Sequence, residues 1–288
     1  MKRIRRLPLS LFLAALVGAT WPLTVLAATD PGLASAGNFA VLAGTTVTNT
    51  GPSWVSGLLG VAPGSAVTGF PTPGASGVVH LGDSVATTAE SDLTAAYTNA
   101  SLQACPGTNN FSNVNLGGQN LVPGVYCQTT APTLTGTLTL TGSGVYIFQI
   151  GSTLVTAPGA RVILLGGAQP CQVFWQVSSS ATIATSTRFV GNIMALTSIG
   201  MQTGATLLGR AEARNGAVTL DTNRIIQPAG CGYSAPTTVP PPANNVLPAV
   251  LGVPSELIGQ VPWLLLIATG SGIAALVLVI SNRRRRSV

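Results

Sequence analysis

The chain has 288 residues, of which 46% are hydrophobic and only 7% charged, with 34 glycines. A globular protein carries about 25% charged residues. So few charges, with many Gly and abundant Thr, point to short strands and tight turns and away from a long helix bundle, which would need more Leu, Glu and Lys. The formal charge of +6 sits at the ends, on Lys2, Arg3, Arg5 and Arg6 and on Arg283, Arg284, Arg285 and Arg286. Between them, Arg161, Arg188, Arg210, Arg214 and Arg224 stand against Asp30, Asp83, Glu90, Asp92, Glu212, Asp221 and Glu256. The middle is slightly acidic and lacks the basic excess that phosphate binding needs, which argues against nucleic acid as a partner.

In chain order, residues 1–27 read as a signal peptide: a charged start, an apolar stretch over 7–17, and Val25-Leu26-Ala27 before the cleavage point, with Ala28 the second choice. The body follows over 28–233. Its first repeats are Thr46-Val47-Thr48 and Ala66-Val67-Thr68-Gly69. Helical spacing of Val85, Ala89, Leu93, Ala96, Tyr97 and Ala100 predicts one helix over 85–104, capped by Asp83 or Ser84 and ended by Pro106-Gly107.

After the helix the repeats resume. Thr137-Leu138-Thr139-Leu140, Thr153-Leu154-Val155-Thr156, Thr182-Ile183-Ala184-Thr185, Gly200-Met201-Gln202-Thr203 and Ala217-Val218-Thr219-Leu220 share a template. Each has a short strand between Gly-rich corners, the pattern of a stacked solenoid whose coils bury one apolar row together. That row is expected to hold Leu138, Leu154, Ile183, Met201 and Val218, with the flanking side chains outward by strand alternation.

Residues 234–260 form a Pro-rich linker whose Pro240-Pro241-Pro242 run favours an extended, semi-rigid spacer. The apolar stretch 261–280 has the length of a transmembrane helix. The arginines of the tail, 281–288, orient it with the C-terminus in the cytoplasm and the body exported. Leu247-Pro248-Ala249-Val250-Leu251 lacks the Thr-Gly pair a wall-sorting enzyme would cut, so a retained membrane anchor is expected.

Cys105, Cys127, Cys171 and Cys231 allow three disulfide connectivities in an exported chain. The expected pairs are Cys105–Cys127, tying the helix end to the next coil, and Cys171–Cys231, pinning the end of the domain. With no C-x-x-C spacing and His80 as the sole histidine, no metal or other cofactor is expected. Catalysis is not expected either. Asp83, Glu90 and Asp92 are accounted for by capping and solvation, and Glu212 beside Arg210 and Arg214 by a surface ion pair.

Ordered blocks along the body resemble one known family. They run from Ala36-Gly37-Asn38-Phe39-Ala40-Val41-Leu42 and Gly57-Leu58-Leu59-Gly60-Val61-Ala62-Pro63-Gly64 through Leu121-Val122-Pro123-Gly124-Val125-Tyr126 and Val145-Tyr146-Ile147-Phe148. Cys171-Gln172-Val173-Phe174-Trp175, Gly191-Asn192-Ile193-Met194 and Arg214-Asn215-Gly216-Ala217-Val218 continue the series. Together they are similar to the microbial ice-binding proteins, once filed as a domain of unknown function. The resemblance implies a mainly β fold, a right-handed discontinuous β-solenoid of triangular section with a helix alongside, in which the first coils pack next to the last. It implies a non-enzymatic monomer whose partner is an ice crystal surface, met through one flat strand face.

Threonine suits such a face, because its hydroxyl bonds water while its methyl stays apolar. The expected contact residues are Thr137, Thr139, Thr153, Thr182, Ala184, Thr203 and Thr219, with Thr156, Thr185 and Thr206 at the next bend. Thr203-Gly204-Ala205-Thr206 resembles a motif on the ice face of some members, whereas Arg188 spoils the copy beginning at Thr185. The alternatives are a surface adhesin for polysaccharide or another surface and, more remotely, a polysaccharide-active β-helix enzyme.

Overall fold

Two burial patterns sort the strands. Phe39–Ala43, Tyr146–Ile150 and Val173–Val177 are buried almost along their whole length, whereas Thr46–Thr50 and Thr137–Thr141 alternate between inside and outside. Continuous apolar runs belong to strands covered on both faces, and alternation to strands covered on one. The computed structural model, which describes residues 27–70, 77–111 and 115–230 and the backbone of 267–270 and 273–276, builds three walls from them. The chain divides into two units, Met1–Thr237 and Thr238–Val288.

The first unit is a parallel solenoid. One wall stacks Val79–Leu81, Leu58–Val61, Phe39–Ala43, the second half of Thr206–Ala213, then Arg188–Ala195, Val173–Val177, Tyr146–Ile150, Gly124–Gln128 and Asn110–Phe111. A second, seven-stranded wall stacks Thr133–Leu134, Leu154–Thr156, Ala181–Ile183, Ile199–Met201, Val218–Asp221, Thr46–Thr50 and Ala66–Thr68. The third holds Asn120–Leu121, Thr137–Thr141, Arg161–Leu165, the first halves of the two long strands, Arg224–Ile226 and Trp54–Ser56.

Coil order and chain order differ, as the resemblance implies. Val41 pairs with Ala211, Thr48 with Thr219 and Trp54 with Arg224, so the N-terminal coils cap the last coil. The chain must then cross the whole stack to begin at its other end. The helix Ser84–Ser101 makes that crossing, linking Val79–Leu81 at one end of the first wall to Asn110–Phe111 at the other. Asp83 is its cap, its carboxylate accepting from the Ala86 amide at 2.9 Å.

The helix lays Ala89, Leu93, Ala96, Tyr97 and Ala100 on the outward side chains of the first wall, Phe39, Leu42, Val125, Ile147, Phe174 and Met194. That wall, the helix wall, is thereby sealed on both faces. Inside the solenoid, Tyr126, Phe148, Trp175 and Phe189 form a ladder from coil to coil, with ring centroids 5.4, 4.0 and 4.8 Å apart. Each such pair adds about 0.5–1.5 kcal/mol beyond its buried area. The Trp175 indole donates to the Val190 carbonyl at 2.9 Å.

Cys105 and Cys127 are joined, with Cα atoms 6.1 Å apart, tying the segment after the helix to Gly124–Gln128. Cys231, the expected partner of Cys171, lies outside the described residues, as do the linker expected over 234–260 and all but the last residue of the signal peptide expected over 1–27.

In the second unit, Ile267–Gly270 and Ile273–Leu276 pair as an antiparallel hairpin, which corrects the helix expected over 261–280. Gly270 and Gly272 flank Ser271 between two short apolar runs, a hairpin signal that hydropathy alone passes over. Among the described residues, no helix is long and apolar enough to cross a membrane.

Candidate functional site

The helix covers one wall, which leaves two open to solvent. On the seven-stranded wall, Leu134, Leu154, Ile183, Met201, Val218 and Val47 face inward, all buried. The outward row is in continuous register: Thr133 beside Val155, then Thr182, Gly200, Thr219, Thr48 and Thr68. No charged residue stands in it. The Thr48 and Thr219 hydroxyls lie 3.4 Å apart. Adjacent strands repeat at about 4.8 Å, so the row is a straight file of β-hydroxyls broken by Val155 and by Gly200. Thr182, Thr219, Gln202, Thr203 and Asp221 edge the shallow depression left where Gly200 has no side chain. Asp221 is the nearest charge, at the wall's edge, accepting from the Thr203 hydroxyl at 2.5 Å.

The third wall differs. Its outward row runs Thr137, Arg161, Arg188, Thr206, Arg224 and Trp54 in unbroken register. The long, charged guanidinium side chains make it uneven. The two open walls can therefore be called the threonine wall and the arginine wall.

The expected contact residues divide between the two. Thr182 and Thr219 stand in the threonine row, and Thr153, Thr185 and Thr203 flank it on the same wall or its corner. Thr137, Thr139 and Thr206 stand on the arginine wall instead. Thr-Leu-Thr alternation is the same on both open walls, so the pattern alone does not reveal which wall a coil segment joins.

Two expectations fail outright. Ala184 and Thr156 are buried, because the chain turns inward at the corner. There the Thr156 hydroxyl accepts from the Ala184 amide at 2.8 Å and lies 3.1 Å from the Thr187 hydroxyl, closing the turn. The outward residue of that coil is Val155, 40% exposed. Thr48, Thr68 and Thr133 also stand in the threonine row, though they are not among the expected contact residues. The signal was present in Thr46-Val47-Thr48 and Ala66-Val67-Thr68, but only the discontinuous stacking brings those coils beside Thr219. Arg188, which breaks the motif in sequence, is not on the threonine wall at all.

The acids are also redistributed. Asp92 accepts from the amide and hydroxyl of Ser35, and Asp83 caps the helix and meets His80 Nδ1 at 2.7 Å. Glu90 on the helix and Glu212 on the wall it covers, however, are buried, which corrects both the solvated Glu90 and the surface ion pair. Burial pushes the Glu212 carboxyl up to about 8 against the pull of Arg210, and burial and the charge of Glu212 push Glu90 up to about 9. Paired carboxyls with raised pKa are what a hydrolase would need, but this pair is sealed from any substrate. Among the described residues, no three His, Cys, Asp or Glu side chains gather as a metal site.

A family model described as ice-binding-like matches residues 41–226. The chain belongs to this family. It is 41% identical over 248 residues to an ice-binding protein of Nostoc sp. (strain HG1), covering 84% of this chain and 90% of that one. It is 37% identical to an ice-binding protein of Flammulina populicola, over 69% of this chain and 89% of the other. Among solved structures, the crystal structure of an ice-binding protein from an Antarctic biological consortium superposes with a TM-score of 0.67 at 42% identity, covering 72% of this chain and 95% of that one.

Proposed function

We propose that this protein binds ice, and that it does so through the threonine wall. The observation that carries the reading is the uncharged outward row Thr133, Val155, Thr182, Gly200, Thr219, Thr48 and Thr68, held in register by parallel pairing. Ice offers neither charge nor apolar pockets, only an ordered array of water oxygens. A threonine contributes a hydroxyl that joins a water network and a methyl that spares the surface from strong hydration. Waters bridging the hydroxyls can serve nearly as well as direct bonds. The ladder is rigid, so little conformational entropy is lost on adsorption. Each contact is weak, and the strength comes from the number made at once. The names of the relatives support the ligand; the absence of charge along the row supports the face.

Export from the cell is our reading of the N-terminus. It is supported by the charged start followed by an apolar stretch over 7–17. Protease treatment of intact cells tests it: a shielded body would refute it.

The direct test of ice binding is a single ice crystal grown in the presence of the full-length protein. Shaping or arrested growth is expected. Replacing Thr182 and Thr219 with Tyr should abolish it, while Thr137→Tyr on the arginine wall should leave it intact. Loss with Thr137→Tyr alone would move the site to that wall, and no shaping at millimolar protein would overturn ice binding itself.

A further inference from the structure

We infer that the arginine wall is a second binding surface, and that its ligand is a linear polysaccharide bearing carboxylates. The body holds five arginines. Arg210 is buried, and Arg214 lies over the Tyr97 ring beside the helix. The other three, Arg161, Arg188 and Arg224, are exposed and fall in one register row of one wall. The slightly acidic composition of the body concealed this, because averaging hides what stacking aligns. Among the described residues, no acid stands on that wall to neutralise the row.

The spacing is that of the coils. Arg161 and Arg188 are on paired strands, about 4.8 Å apart, and Arg224 lies two strands beyond Arg188, about 10 Å away. Trp54, 39% exposed, continues the line beside Arg224. Two residues further along the same strands, Ile163 and Leu208 are exposed as an apolar strip parallel to the cations. A cationic file with an apolar border and a terminal indole fits a chain of sugar rings. Carboxylates can meet guanidinium forks along one edge, while the C–H faces of the rings lie on the strip and on Trp54. A straight row suits a linear polymer better than a membrane, which would engage a broad patch. The two open walls would then serve different surfaces, ice on one side and an acidic glycan on the other.

Binding of the full-length protein to immobilised polygalacturonate, with neutral dextran as the control, tests this. The basic tail would also attract a polyanion, so measurements are made with Arg283, Arg284, Arg285 and Arg286 each changed to Gln. Retention should persist in that background and weaken with added salt. The further change of Arg161, Arg188 and Arg224 to Gln should reduce affinity about tenfold or more. Changing the same three to Lys should restore only part of it, since the charge returns without the bidentate fork. Ice shaping and the thermal midpoint should be unaffected, since no described hydrogen bond involves these side chains. Equal binding by the Gln triple variant would overturn the proposal, as would binding lost with the tail alone, equal retention on dextran, or tighter binding to phosphatidylglycerol vesicles than to polygalacturonate.

Discussion

Glu90 on the helix and Glu212 on the helix wall meet in the sealed layer between them, and neither carboxylate finds a hydrogen-bond partner there. Glu212, beside Arg210, ionises first, at about 8, and its charge then holds Glu90 up to about 9. In the unfolded chain both titrate near 4.5. Across that interval the folded state binds more protons than the unfolded state, so stability falls as pH rises. The contribution is complete below about 4.5 and is lost as pH climbs through about 8 and 9. The thermal midpoint should therefore decline steadily across this window. Glu212→Gln, which cannot ionise, should flatten the decline. An unchanged slope in that variant would mean that other groups govern it.

The long strands Arg188–Ala195 and Thr206–Ala213 pass from the arginine wall to the helix wall by bending at Gly191 and Gly209. The two glycines pair across the coils, with φ of +111° and +154°. A Cβ on Gly209 would sit 1.9 Å from the Gly191 carbonyl oxygen. The obstacle is backbone, so nothing can swing aside. Gly209→Ala should cost about 3 kcal/mol or more, read as a lowered denaturation midpoint. A near-wild-type midpoint would show that the coils can separate at this corner.

How much of this was legible in the sequence depends on whether a feature is local. The helix was readable from its spacing and from Asp83, both local signals, and so was the alternation of the solenoid strands. Which wall a Thr-Leu-Thr segment joins was not, because two open walls impose the same period. Ala184 and Thr156 were misjudged because corner geometry, not alternation, decides their direction. The neighbours of Thr219 were hidden by discontinuity: Thr48 is 171 residues away in sequence. Glu212 looked like a surface charge because what covers it is a helix more than a hundred residues earlier.

The Cys105–Cys127 bridge closes a span of 22 residues containing the short strands that start the far end of the stack. Asn110–Phe111 and Asn120–Leu121 are two-residue edge strands, each with a neighbour on one side only. Replacing both cysteines with serine removes a constraint on the unfolded chain of about 3 kcal/mol. The midpoint in urea should fall accordingly, with hydrogen exchange fastest over 107–128. Uniform exchange across the solenoid would instead point to a purely global effect.

Gly200 is the gap in the threonine row, between Thr182 and Thr219 in direct register. A Cβ added there meets nothing within 4 Å, and the backbone is not in the left-handed region. Gly200→Thr should therefore fold normally, with a stability change within about 0.5 kcal/mol. If adsorption is the sum of many weak, regularly spaced contacts, filling the gap extends the file from Thr182 to Thr219 and should slow ice growth at lower protein concentration. Val155→Thr should act in the same direction, since it restores a hydroxyl without changing the side chain's shape. Gly200→Tyr should abolish shaping, because one protruding ring holds the whole wall away from a flat surface. Weaker shaping by a stably folded Gly200→Thr protein would contradict the additive account and would instead give the depression at Gly200 a direct part in holding water.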